Sequence, residues 1–212
     1  TIVIEGMSFG EVYHEAIGVH RFRITARADG GHSWGSYGKQ SAIHGLVKLA
    51  NKITELEVPA KPKTTFNIGV VRGGTSVNTI ANEASLDLDM RSEDAKSLSL
   101  LVKSVEALIA SFNSNDLRIS YETISQRAAG SISRDHPLIK LASDSLRAVG
   151  VEPHLKNGST DANIPLSKGL PAVVIGICKG ENAHRPDEYI ETEKIGDGMK
   201  QVVLTVLGAY QL

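Results

Sequence analysis

Residues 19–35 read VHRFRITARADGGHSWG. Phe22, Ile24 and Ala26 alternate with Arg21, Arg23 and Thr25, the period of a strand with one buried face. The alternation stops at Gly30-Gly31. From Lys39 to Leu56 the apolar residues Ala42, Leu46, Leu49, Ala50, Ile53 and Leu56 recur at helical spacing instead. The stretch therefore predicts a strand, a glycine-rich turn and an amphipathic helix. Glycine accepts backbone angles that other residues resist, so this turn can aim His32 outward at little steric cost. A histidine in such a place can exchange protons near neutral pH, bind a metal, or simply lie in solvent.

Reading onward from that helix, Pro59 and Pro62 end it. Phe66, Ile68 and Val70 alternate as a second strand, broken by Gly73-Gly74. Leu86, Leu88 and Met90 form one face of a third, with Asp87, Asp89 and Arg91 on the other. Leu98, Leu101, Val102, Val105, Leu108, Ile109 and Phe112 mark a second amphipathic helix, and Leu117, Ile119 and Tyr121 a fourth strand. The order is β-α-β-β-α-β, the arrangement of a ferredoxin-like sandwich. Both helices are expected on one sheet face, leaving the other polar or available to a partner.

The remainder has a different rhythm. His136-Pro137 opens a helix through Leu138, Leu141, Leu146 and Val149, closed by Gly150. A strand is expected near Val151 to Leu155, leading into Asn157-Gly158-Ser159-Thr160-Asp161. The apolar run from Pro171 to Ile177 suits a strand buried on both faces. A last helix is expected to bury Met199, Val202, Val203, Val206 and Leu207. Together with the strand-like Thr1 to Gly10, this alternation predicts an α/β domain interrupted by the sandwich. The expected division is 1–18 and 128–212 for the partial α/β domain and 19–127 for the insertion.

Composition excludes more than it specifies. The 212 residues are 41% hydrophobic and 22% charged, ordinary for a folded chain. A formal net charge of -1 gives no electrostatic reason to expect nucleic acid or an anionic membrane surface. No apolar run approaches the roughly 20 residues that span a bilayer. Cys178 is the single cysteine, so no internal disulfide and no cysteine-rich zinc pattern is possible. That usage suits a reducing compartment, and a cytoplasmic location is the expectation. The opening Ile2-Val3-Ile4 reads as strand from the start, as if the natural N-terminus lay further upstream.

Five loop settings hold candidate functional residues: His32, Asn78 in Gly73-Gly74-Thr75-Ser76-Val77-Asn78-Thr79, Arg91 on the polar face of its strand, the Gly158-Ser159-Thr160 loop, and His184 in Asn182-Ala183-His184-Arg185-Pro186. Gly158 to Asp161 precede a helix whose free N–H groups suit a carboxylate or oxyanion. A plain N-cap by Ser159, Thr160 or Asp161 is the structural alternative. His184 follows the buried strand, outside whose carboxyl end ligands tend to bind. Asn78 and Arg91 taken singly have ordinary structural explanations, a turn residue and an exposed strand arginine.

The order of these segments carries more than any one of them. GGHSW, GGTSVNTIA, LDLDMRS, GSTDAN and NAHRPDE, in that order, resemble the M20 family of metallopeptidases and related amidohydrolases, close to its tripeptide-aminopeptidase-like members. The resemblance runs over essentially the whole chain. It implies a ferredoxin-like lid, which also dimerises, inserted in a zinc-exopeptidase α/β domain that holds two zinc ions. By the same resemblance His32 reaches the active site of the opposite subunit and stabilises the oxyanion formed when water attacks the scissile carbonyl. Asn78 and Arg91 match substrate-holding lid positions, and Gly158, Ser159 and Thr160 match the loop beside the substrate. Glu5 and His184 match two metal ligands, with neutral imidazole and carboxylate suitable for zinc.

One departure stands out. The family's other metal ligands and its catalytic glutamate precede the Glu5 position, and nothing here matches them. The resemblance thus implies part of a zinc-dependent exopeptidase that hydrolyses short peptides by metal-activated water, inactive as this segment and homodimeric through its lid. The alternatives are a non-catalytic dimerisation or binding module, and an N-acyl-amino-acid amidohydrolase of the same family.

Overall fold

The computed structural model describes residues 1–183 and 185–212. In chain order the elements are β1 (Ile2–Glu5), β2 (Glu11–Ala16), β3 (Gly18–Ala28), β4 (Gly31–His32), α1 (Ala42–Thr54), β5 (Thr64–Gly73), β6 (Thr79–Ile80) and β7 (Glu83–Ser92). They continue as α2 (Ala95–Ser111), β8 (Leu117–Arg127), β9 (Gly130–Ser131), α3 (Pro137–Ala148) and β10 (His154–Gly158). The last are α4 (Asn163–Ser167), β11 (Val173–Gly176), β12 (Lys179–Glu181), β13 (Tyr189–Glu191) and α5 (Ile195–Ala209). By their contacts they fall into two units, Gly18–Arg127 and Thr1–Ile17 with Ala128–Leu212.

The unit Gly18–Arg127 is a βαββαβ sandwich. Its sheet runs β5-β7-β3-β8 and is antiparallel throughout. Phe22, Ile24, Leu86, Leu88 and Met90 face Leu46, Leu49 and Ile53 of α1 and Leu101, Val105 and Ile109 of α2. Each such side chain contributes about 1.5–3 kcal/mol on burial, so the alternation read from the sequence decides which sheet face the helices cover. Both helices start at side-chain caps, Ser41 for His44 N and Asp94 for Ser97 N. The uncovered face carries a cross-strand charge ladder. Arg23 grips Asp87 with two hydrogen bonds of 2.8 and 2.9 Å, and Arg21 and Arg91 meet on Asp89 at 2.6 and 2.7 Å.

The other unit has a mixed sheet in the order β1-β11-β2-β10, with β9 on β2. β1 runs parallel to β11, and β2 antiparallel to it. Val173 and Ile175 pack with Leu138, Ile139 and Leu146 of α3, while Val174 joins Ala162 and Leu166 in a second cluster. β11 is thus buried on both faces, as its unbroken apolar run requires.

Two expectations are corrected. The strand expected from Val151 begins at His154, because Gly150 in the left-handed region (φ +79°) and Pro153 keep the preceding residues out of the ladder. More consequentially, the last helix buries little of its apolar stripe: of the expected residues only Val202 packs against the core, and it does so in part. Met199, Val203 and Leu207 are 49%, 50% and 61% exposed, whereas Gly198, Gln201 and Thr205 are buried. A Cβ on Gly198 would collide with the carbonyl oxygen of Ile177, and one on Gly208 with the Leu141 side chain. The helix approaches its neighbours by its small-residue side, which only glycine permits at that distance.

Candidate active site

The turn after β3 is built around two glycines in the left-handed half of backbone space, Gly30 (φ +73°) and Gly31 (φ +151°). A Cβ on Gly30 would sit 2.9 Å from the Ile80 carbonyl oxygen, and one on Gly31 2.8 Å from the Ser36 hydroxyl, so any larger residue pushes the loops apart. β4 then pairs with β6, placing His32 opposite Thr79. Ser33 N donates to the Asn78 carbonyl at 2.9 Å, and Ser36 N to the His32 carbonyl at 2.9 Å. The His32 ring folds back on its own turn, where Nδ1 accepts from Trp34 N at 3.2 Å and from Gly35 N at 3.3 Å.

Asn78 is oriented by the same pair of loops. Its Oδ1 accepts from the Ser76 hydroxyl at 2.7 Å, so the polar group it has left to offer a ligand is the Nδ2 donor. His32 and Asn78 line one open pocket of about 420 Å³ with Asp29, Thr75, Thr79 and Asn82. A second hollow of about 490 Å³ shares Asp29 and is bounded by Tyr37, Lys39, Gln40 and Asp116. With side chains of this kind around it, an open polar pocket can offer donors to a carbonyl or carboxylate oxygen.

Arg91 lies elsewhere. It pairs in register with Val19 at the start of β3, whereas the His32 pocket lies beyond the far end of that strand, at Asn82. The eight residue steps from Glu83 to Arg91 span about 25 Å at strand rise. Arg91 and Arg21 together fix Asp89: burial pushes that carboxyl up, but the two guanidinium hydrogen bonds outweigh it and hold the group below the usual range. The hydrogen-bonded Arg23 guanidinium does the same for Asp87.

In the other unit, Glu5 ends β1 opposite Gly176, and Gly158 ends β10 opposite Ala16. By register these are three strands apart and at opposite ends of the sheet, a separation on the order of 20 Å. The fold does not bring Glu5 to the Gly158-Ser159-Thr160 loop. That loop is also no open helix terminus. α4 has five residues, its N-cap is Ala162 without a side-chain bond, and the Thr160 hydroxyl accepts from Ala162 N at 3.2 Å. Thus none of Ser159, Thr160 and Asp161 caps the helix. A Cβ on Gly158 would meet the Tyr13 ring at 2.9 Å, so the glycine is there for packing.

Two contributors went unseen in the sequence. Asn163 is 2% exposed; its Nδ2 donates to the carbonyls of Ile17 and Ala128 at 2.8 and 2.9 Å, and its Oδ1 accepts from Thr160 N at 2.8 Å. It closes the place where the chain leaves the α/β unit and returns to it. Its one sequence signal is an amide following the small-residue loop. The second contributor is backbone, the amides of Trp34 and Gly35, which carry no sequence signal at all.

His184 lies outside the described residues. Among the described residues no three His, Cys, Asp or Glu side chains are gathered so as to hold a metal ion. Glu5 alone is not a zinc site, and the described donor set does not fit the two-metal centre that the resemblance implies. Among the described residues no helix is long and apolar enough to cross a membrane.

Comparison with known proteins agrees with the fold. Residues 15–116 match the M20 peptidase dimerisation domain model. Acetylornithine deacetylase of Pectobacterium carotovorum is 30% identical over 169 residues, 73% of this chain and 40% of the relative; that of Salmonella typhi is 28% identical over 160 residues, 73% of this chain and 40% of the relative. Among solved structures, a tripeptidase from Staphylococcus aureus superposes with a TM-score of 0.80 at 21% identity, covering 98% of this chain and 56% of that one. The aminopeptidase PepT of Bacillus cereus gives 0.77 at 19%, covering 97% and 56%. At such identities the structural likeness shows the fold alone. The chain spans about two fifths of the curated relatives' length.

Proposed function

Because residues 15–116 belong to the M20 peptidase dimerisation domain, we infer that this chain is the lid and part of the α/β domain of a hydrolase that cleaves an amide bond in a short peptide. The observation that carries the reading is the pairing of His32 with Asn78 in one open pocket, about 25 Å along the sheet from Arg91. One lid cannot place both ends on one small substrate. In a homodimer, the His32–Asn78 end of one lid serves its partner's site while Arg91 serves its own. There Arg91 would pair with a substrate carboxylate. His32 and Asn78 would donate to the carbonyl oxygen as it gains negative charge, where a lost donor costs most. Of the residues that would bind metal only Glu5 is among those described, none of the described residues matches the group that would take the proton from water, and by itself this chain is inactive.

His32→Ala in the complete enzyme should lower kcat by about 100-fold or more, the scale for one oxyanion donor, with bound metal unchanged. Loss of metal, or an unchanged kcat, would sink this role. The 212-residue chain alone should turn over neither tripeptides nor N-acyl amino acids. The acetylornithine deacetylases at 28–30% identity favour one second reading, an amidohydrolase acting on N-acyl amino acids. A panel of tripeptides against N-acetyl amino acids on the complete enzyme separates the two.

A further inference from the structure

The backbone contacts of His32 carry a statement about its chemistry that composition and motif leave open. A backbone amide only donates. Two of them, Trp34 N at 3.2 Å and Gly35 N at 3.3 Å, point at the same ring nitrogen, Nδ1. That nitrogen is therefore the unprotonated one in the neutral ring, and the proton resides on Nε2. We propose that the Trp34 and Gly35 amides are positioning groups that hold His32 as its Nε2–H tautomer, so the nitrogen it turns toward a ligand is a hydrogen-bond donor. The opposite tautomer would present a lone pair and repel an oxyanion. The turn can do this only because Ser33 N and Ser36 N are themselves tied, to Asn78 and to His32 by 2.9 Å bonds, which keeps the chain curled over the ring. The catalytic meaning rests on the oxyanion role inferred above; the tautomer itself does not.

The chain contains its own references. His14 Nδ1 lies 3.1 Å from the Ile132 carbonyl, which can only accept, so His14 carries its proton on Nδ1. His136 Nδ1 accepts from Leu138 N at 3.1 Å, the same arrangement as His32. His44 is exposed on α1 with no ring hydrogen bond among the described residues and reports the unbiased ring.

The test is long-range 1H–15N correlation on the whole 212-residue chain with 15N-labelled histidine, above the pH range where imidazole titrates. His32 should share the Nε2–H pattern of His136, opposite to His14 and more complete than His44. An Nδ1–H pattern at His32, or one indistinguishable from His44, overturns the proposal. Gly35→Pro removes one donor and should move His32 toward the His44 pattern, while Trp34→Ala keeps the amide and should leave it in place. An unmoved His32 in Gly35→Pro also overturns it. If Gly35→Pro disturbs the His14 and His136 signals as well, the wild-type comparison decides alone. No substrate or turnover enters these spectra. A retained Nε2–H pattern beside an unchanged kcat in His32→Ala would reject the catalytic reading and leave the proposal standing.

Discussion

Asn163 and the Asp87–Asp89 pair show how differently single polar side chains act in this molecule. Asn163 is buried and fully engaged, so removing it leaves the Ile17 and Ala128 carbonyls and Thr160 N without partners. Asn163→Ala should destabilise the protein by about 3 kcal/mol, the scale for orphaning more than one buried group; a denaturation midpoint within error of wild type would contradict this. Asp87 and Asp89 act through charge on a half-open face. Their carboxyls titrate below the ordinary range in the folded state. The stability they add is therefore complete above the unfolded value near 4 and is lost as pH falls through the lower folded values. Asp87→Asn should cost a constant amount between about pH 5 and 7, with the difference from wild type shrinking below about pH 4. Chemical denaturation across that range measures it.

Among the elements, α5 is the instructive one. Its apolar spacing is real, yet all of the stripe but Val202 faces outward, the buried residues are Gly198, Gln201 and Thr205, and Gly208 lies against Leu141. A methyl at Gly198 has no room against the Ile177 carbonyl, so Gly198→Ala should lower stability by about 1–3 kcal/mol, as overpacking does. Gln201 is fully buried, and neither of its amide atoms has a hydrogen-bond partner among the described residues. An apolar residue of similar shape removes that desolvation penalty, so Gln201→Met should raise the melting temperature. A drop instead would mean that the amide is satisfied in the folded protein. The sandwich strands behave oppositely. Their alternation in the sequence matches the observed faces of β3 and β7, because with helices on one side only, each odd or even residue has one environment available.

At the scale of the whole molecule, the two units stand on unequal footing. The sandwich enters and leaves through neighbouring positions, since Val19 at the start of β3 pairs with Arg127 at the end of β8, and its core is closed between sheet and helices. Residues 18–127 expressed alone should unfold cooperatively; a gradual, non-cooperative melt would contradict that. The α/β unit presents the α5 stripe to solvent together with Ile4 on the edge strand β1, 50% exposed. The 212-residue chain should accordingly bind an apolar dye that the excised sandwich does not. Equal binding by both would place the exposed apolar surface elsewhere.

By itself the sequence determined the βαββαβ order, the buried faces of that sheet and the family resemblance carried by its loop motifs. Those follow from periodicity and local turn chemistry, which act between residues close in the chain. Only the tertiary structure decided that His32 and Asn78 share one pocket, that Arg91 lies a strand's length away, that Gly158–Thr160 and Glu5 are at opposite ends of their sheet, and that α5 packs by its glycines. Those facts depend on strand register and on the distance of approach between elements. Both are set by contacts between residues far apart in the chain, and no local pattern encodes them.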